Sequence, residues 1–298
     1  MSDIVELRNG DCRAVVSPAA GAVLSAEVRD ELLLIPVKTP GLASQRHGRE
    51  ACFPLVPFGG RVEGNAFQFD GRHHLLAPNT EDPLVLHGDG WLREWDVAEV
   101  SEKHVDLTFE HQDNERSPYA YQAAQRIEIS NNGLRLSLSV ENQGRQALPF
   151  GIGFHPYLPA TSDCTVQFDA GAYWTERQMH LPGEKRAMDT DNDFSQPRTV
   201  PDRWINSCYE SWSGFASIRY SSGSMIRISA DPLFNRLMVY KPAGRHDYLC
   251  LEPMSHRPNS HACPLLDGLV ALPCGHRLSG SISIERVLID DKVLTHNA

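Results

Sequence analysis

Positive charge is in short supply in this chain. Lys and Arg number 28 against 38 Asp and Glu across 298 residues, a formal net charge of -10. That balance argues against a whole-surface field for DNA, RNA or an anionic membrane, while leaving room for a local basic pocket. No run of 18 apolar residues occurs, and Met1-Ser2-Asp3-Ile4-Val5-Glu6-Leu7 has no basic stretch leading into an apolar signal segment. The expectation is a soluble, cytoplasmic protein with no nucleic-acid or membrane partner. Cys-x-x-Cys is also missing, and the seven cysteines, at 12, 52, 164, 208, 250, 263 and 274, are odd in number. They read as reduced thiols used in packing, not as a disulfide framework or zinc knuckle.

The motifs that announce cofactors are missing as well. No Gly-x-Gly-x-x-Gly joins a strand to a helix and no Gly-x-x-x-x-Gly-Lys-Ser/Thr occurs, which argues against nicotinamide and ATP chemistry. A Gly-x-Ser-x-Gly nucleophile elbow is absent. His73-His74 and the group His256, His261, Cys263 offer metal-ligand types without a recognised zinc spacing. Neither a cofactor nor a metal is therefore expected. With no internal repeat and no Gly/Ser-rich or charged linker, residues 1–298 read as a single domain; a split near residue 150 is the alternative.

What the chain does have is period-two alternation. Val105-Asp106-Leu107-Thr108-Phe109, Leu134-Arg135-Leu136-Ser137-Leu138-Ser139-Val140, Met225-Ile226-Arg227-Ile228-Ser229 and Ile282-Ser283-Ile284-Glu285 each put apolar side chains on one face of a strand. Asn131-Asn132-Gly133, Asp70-Gly71 and Ser222-Gly223 punctuate such runs as hairpin turns. The 20 prolines and 22 glycines are spread throughout, which limits long helices. An all-β fold follows, with antiparallel sheets packed face to face or wrapped around a groove. Residues 176–204, with Pro182-Gly183, Asp189, Asp191, Asp193 and Pro197, read as a long loop, either over a groove or as a surface excursion.

Four clusters carry chemistry. Phe58-Gly59-Gly60-Arg61 places a planar multidentate donor among permissive glycines; Arg61 fits a sugar or carboxylate site, and equally a structural ion pair. Leu86-His87-Gly88-Asp89-Gly90-Trp91 offers His87 beside a glycine and Trp91 as an apolar wall, against the plainer reading of core aromatics. Gly153-Phe154-His155-Pro156-Tyr157 fixes an imidazole between an aromatic and a proline, and histidine moves protons near neutral pH without large tuning. In Tyr248-Leu249-Cys250-Leu251-Glu252-Pro253 a carboxylate ends an apolar run; it must face water, be paired or serve a pocket. His155 and Glu252 are thus the candidate acid and base. Separated by 97 positions, they can meet only through the fold.

In this order, Gly60-Arg61 to Gly64-x-x-Phe67, His87-Gly88, Gly153-Phe154-His155-Pro156-Tyr157, and Glu252-Pro253 after Tyr240-x-Pro242 resemble the aldose 1-epimerase, or galactose mutarotase-like, family over about residues 10–288. The resemblance implies a large antiparallel β-sandwich, the supersandwich, with a sugar-binding groove, and cofactor-free interconversion of the α and β anomers of a free aldose. It implies Glu252 as general base at the C1 hydroxyl, His155 as acid at the ring oxygen, and Arg61 and His87 as substrate binders. Family members commonly carry an aspartate where this chain has Asn206, with Asp202 and Glu210 nearby. Asn206 can still bind a hydroxyl but brings no charge.

The expected partner is a monosaccharide, held by a monomer or homodimer. Two other functions remain open at this point. A hexose-6-phosphate 1-epimerase would need converging cations, for which Arg49, Arg61 and Arg93 are the candidates. A noncatalytic carbohydrate-binding or sugar-sensing protein would keep the aromatic groove without using His155 and Glu252.

Overall fold

The computed structural model describes residues 4–37 and 50–288. Their regular structure is β-strand and short 3-10 turns, and no described helix is long and apolar enough to cross a membrane. Alternating segments become strands as expected. Gly133–Asn142 buries Leu134, Leu136, Leu138 and Val140 and turns Arg135 outward.

Two sheets dominate the described residues. The larger has 11 strands, ordered Val5–Asn9, Cys12–Ser17, Ala22–Val28, Cys52–Leu55, Gly153–Pro159, Tyr248–Met254, Arg236–Lys241, Ile205–Glu210, Ala172–Arg177 and Leu181–Ala187, with Glu31–Leu34 paired beside Ala22–Val28. The second has nine, ordered Arg198–Thr199, Thr165–Phe168, Phe215–Arg219, Ser224–Ala230, Arg277–Leu288, Gly133–Asn142, Tyr121–Ile129, His104–His111 and Asp96–Val100. Neighbours within both sheets run antiparallel. Phe154, Leu237, Val239 and Leu251 from the large sheet join Ile127, Leu136, Ile226 and Ile284 from the other in one buried apolar cluster. This is the all-β, supersandwich-like architecture expected.

The turn signals also took their expected places. Asn131 and Asn132 lie between the hairpin strands Tyr121–Ile129 and Gly133–Asn142. Asp70 and Gly71, both at positive φ, join Ala66–Phe69 to Arg72–Leu75, as a tight two-residue hairpin turn requires.

The reading of residues 176–204 as loop needs correction. Leu181–Ala187 is a strand paired with Ala172–Arg177 at the edge of the large sheet, and Arg198–Thr199 edges the second. Pro182 and Gly183 masked the strand, because proline lacks a ladder donor and is tolerated mainly at edges.

Central strands of the large sheet are covered on both faces. Tyr248–Met254 is buried at every position and Gly153–Pro159 at all but its last. One face meets the second sheet. On the other, Phe53, Leu55, Tyr157, Cys250 and Met254 cluster with Leu86 and Trp91 from the segment between Arg72–Leu75 and Asp96–Val100. Groups at the middle of that second face are therefore withdrawn from water.

Candidate active site

Strand register brings the distant motifs together. Gly153 pairs with Met254 and Tyr157 with Cys250, which sets His155 directly opposite Glu252. Phe53 pairs with His155 on one side and Met238 with Glu252 on the other. Directly opposed residues share a sheet face, so Phe53, His155, Glu252 and Met238 form one row. Tyr157, Cys250, Tyr240 and Asn206 form the next. Members of both rows floor a cavity of about 470 Å³, walled by Arg61, Asp82, Leu86 and His87 and rimmed by His180 and Trp204.

At the cavity floor, His155 Nε2 lies 3.4 Å from Glu252 Oε1. The two residues are 7% and 3% exposed. Burial penalises the charged form of each: it raises the Glu252 carboxyl to about 8, against an opposing pull from Arg61, and lowers the His155 imidazole to about 3. At neutral pH the resting pair thus holds one proton, on the carboxyl. The imidazole is clamped by stacking on Phe53, with ring centroids 4.6 Å apart, and by Tyr157 at 4.8 Å. Its buried Nδ1 has no hydrogen-bond partner among the described residues.

His87 enters from the wall in a left-handed backbone conformation, φ 60°, followed by Gly88 at φ 65°. A side chain at Gly88 would stand 2.6 Å from the Val56 carbonyl oxygen, so glycine is required there. The Gly60 N–H donates to His87 Nδ1 at 3.0 Å. The neutral ring, kept uncharged mainly by burial and then by His155 and Arg61, must therefore carry its proton on Nε2, ready to donate. Its ring meets that of His155 edge-on at 5.5 Å.

Arg61 takes the structural ion pair of its plainer reading and also borders the cavity. Its Nε and Nη2 lie 2.9 and 2.8 Å from Asp82 Oδ2, and the side chain still lines the cavity. Asp82 was not legible as its partner, since nothing in a 21-residue separation fixes a contact. Trp91 belongs elsewhere. It is 2% exposed, stacks beneath Phe53 at 5.2 Å and donates its indole N–H to the Leu86 carbonyl. It supports the floor from below and does not line the cavity.

Asn206 does line the cavity, with a carboxylate beside it that is neither Asp202 nor Glu210. Asp202 pairs with Lys241 and His246 at an exposed position. Glu210 accepts from the Trp174 indole and pairs with Lys185. The neighbour is Glu176, which accepts from Asn206 Nδ2 at 2.6 Å and from Trp204 Nε1 at 2.6 Å. His180 Nδ1 contacts the same carboxylate. Glu176, His180 and Trp204 were missed as site residues because they fall at a strand irregularity and in the segment read as loop.

Among the described residues, the buried trio His155, Cys250 and Glu252 has ligand atoms within 4.8 Å of one another. Burial pushes the Cys250 thiol well above its ordinary range, so it offers a neutral S–H where a metal wants thiolate. Two of the other histidines weighed as ligands are engaged: His256 Nε2 accepts from the Gly59 N–H, and His261 Nε2 bonds the Tyr119 hydroxyl. Of the phosphate candidates, Arg93 is exposed outside the cavity lining and Arg49 lies outside the described residues.

Comparison with known proteins places the chain in a family and matches its fold. Residues 3–285 match the family described as aldose 1-epimerase. YphB, an uncharacterised protein of Escherichia coli K12, is 36% identical over 291 residues, covering 94% of this chain and 98% of its own. The crystal structure of a candidate aldose 1-epimerase from the same organism superposes with a TM-score of 0.89 at 34% identity, over 96% of this chain and 99% of that one. A galactose mutarotase-like protein of Clostridium acetobutylicum shares the fold, with a TM-score of 0.82 at 18% identity over 96% and 95% of the two chains. The chain belongs to the aldose 1-epimerase family.

Proposed function

We propose that the protein interconverts the α and β anomers of a free, uncharged aldose, with Glu252 as general base and His155 as general acid. The observation that carries this reading is the dyad itself: two proton-transfer groups 3.4 Å apart, opening on one cavity. The hydroxyl oxygen and ring oxygen of a hemiacetal share one carbon, so neighbouring groups can each reach one of them. Shifting the resting proton from Glu252 to His155 as the sugar arrives gives a carboxylate and an imidazolium. Glu252 then takes the proton from O1, the C1–O5 bond breaks with its electron pair moving to O5, and His155 protonates O5. Rotation about C1–C2 turns the other face of the aldehyde toward O5. Reversing both transfers closes the ring as the other anomer and restores the dyad. No electron leaves the sugar. Arg61, His87 and Asn206 hold the hydroxyls, which contributes positioning.

The charges around the cavity support a neutral substrate over a sugar phosphate. Its one described arginine, Arg61, is neutralised by Asp82, and Glu81 and nearby Glu176 add negative charge. The test is polarimetry on freshly dissolved α-D-glucose and α-D-galactose beside pentoses, uronic acids and hexose 6-phosphates. Faster approach to anomeric equilibrium for neutral sugars is expected. Preference for the phosphates would favour the hexose-6-phosphate reading, and binding without acceleration would favour a sugar sensor.

A further inference from the structure

Glu176 is a carboxylate beside the cavity, bonded to the lining residue Asn206, that the four motifs do not contain. Asn206 lies two residues before Cys208 and lines the cavity, and the bond from its side chain to Glu176 sets both on that face. An ionised carboxylate only accepts hydrogen bonds. Trp204 Nε1 occupies Oε2, while Asn206 Nδ2 and His180 Nδ1 converge on Oε1. The amide nitrogen of Asn206 is committed to this contact, and Oδ1 accepts nothing among the described residues.

We propose that Glu176 is a positioning residue that fixes the Asn206 amide so that Oδ1 accepts a hydrogen bond from a substrate hydroxyl. The negative charge is kept one side chain away from the sugar. Acceptor geometry is thus retained at this position without a carboxylate touching the ligand. A hydroxyl fits there; an anionic substituent would meet a lone pair backed by a carboxylate and be rejected. This rests on the aldose reading above and narrows its substrate class.

Asn206→Asp, Glu176→Gln and the double variant test it against wild type. Asn206→Asp sets two carboxylates in contact, and like charges at that distance oppose each other. A KM about tenfold higher is expected, with the loss in KM exceeding any loss in kcat. In Glu176→Gln/Asn206→Asp the new amide can donate to the new carboxylate, and KM should return to within about threefold of wild type. A purely structural role would lower melting temperature and kcat together and would show no such recovery. Unchanged KM in Asn206→Asp, or no recovery in the double variant, overturns the proposal. If wild type accelerates no aldose, the epimerase reading fails on its own. Calorimetric titration of the same four proteins with D-galactose and D-glucose then reads the proposal through Kd. The same order is expected; equal affinities, or no binding by wild type, overturn it.

Discussion

Glu252 and Glu176 are carboxylates on the same face of the same sheet, yet their surroundings differ in kind. Glu252 is 3% exposed, meets His155 at 3.4 Å and accepts no hydrogen bond among the described residues. Glu176 has a side chain 22% exposed and is met by three N–H groups. One is left short of partners on a central strand covered on both sides; the other is saturated near the sheet edge. A carboxyl deprived of water and donors holds its proton and is free to exchange it. One that is fully bonded orients its neighbours.

Breaking the reactive end should have the largest effect. Glu252→Gln and His155→Ala are each expected to cost at least about 100-fold in turnover by polarimetry, with circular dichroism unchanged, as for loss of a general acid or base. Near-normal rates in both would remove the contrast. His87→Ala should act mainly on KM, raising it about tenfold through loss of one Nε2–H donor; a larger fall in kcat would move His87 into the proton-transfer machinery.

The pH profile sharpens the same comparison. The dyad holds one proton from about 3, where His155 takes another, to about 8, where Glu252 gives its own up. Activity in kcat/KM should therefore be level across neutral pH and fall through a limb near 8. A limb near 6 with none near 8 would mean that the resting pair is already ionised. Stability follows from the same shift. A folded-state pKa of about 8 against an ordinary 4.5 means the native protein binds the proton more tightly than the unfolded chain, so it loses stability as pH rises through that window. Glu252→Gln removes the loss and should melt about 2–6 °C above wild type at pH 9, with the gap closing toward pH 5. A variant that melts lower at pH 9 would show that the carboxyl is stabilised, not stressed, where it lies.

Much of this was legible in the chain. Alternation in segments such as Leu134 to Val140 encoded the sheets, because one buried face leaves a period-two record. Glu252 and His155 stood out because a titratable group inside an apolar run has few uses other than chemistry or pairing. Edge features left fainter traces. Leu181–Ala187 contains proline, glycine and three charged residues, and an edge strand with little to bury is under no pressure to alternate. Glu176 and Asp82 look like surface charges in sequence, since their contacts in the site reach residues 30 and 21 positions away. Trp91 was misjudged for a related reason: bulk predicts burial, but not which side of Phe53 is filled.

Trp204 has one further consequence. It stands 40% exposed at the cavity rim, whereas Trp91, Trp95 and Trp212 are at most 4% exposed. Its indole N–H is tied to Glu176 and its ring meets Tyr240 edge-on at 5.3 Å. Ultraviolet emission from this rim chromophore should shift when a ligand displaces solvent from it, against a background from three sealed tryptophans and the half-buried Trp174. Occupancy of the cavity then becomes an optical signal that needs no label and no turnover.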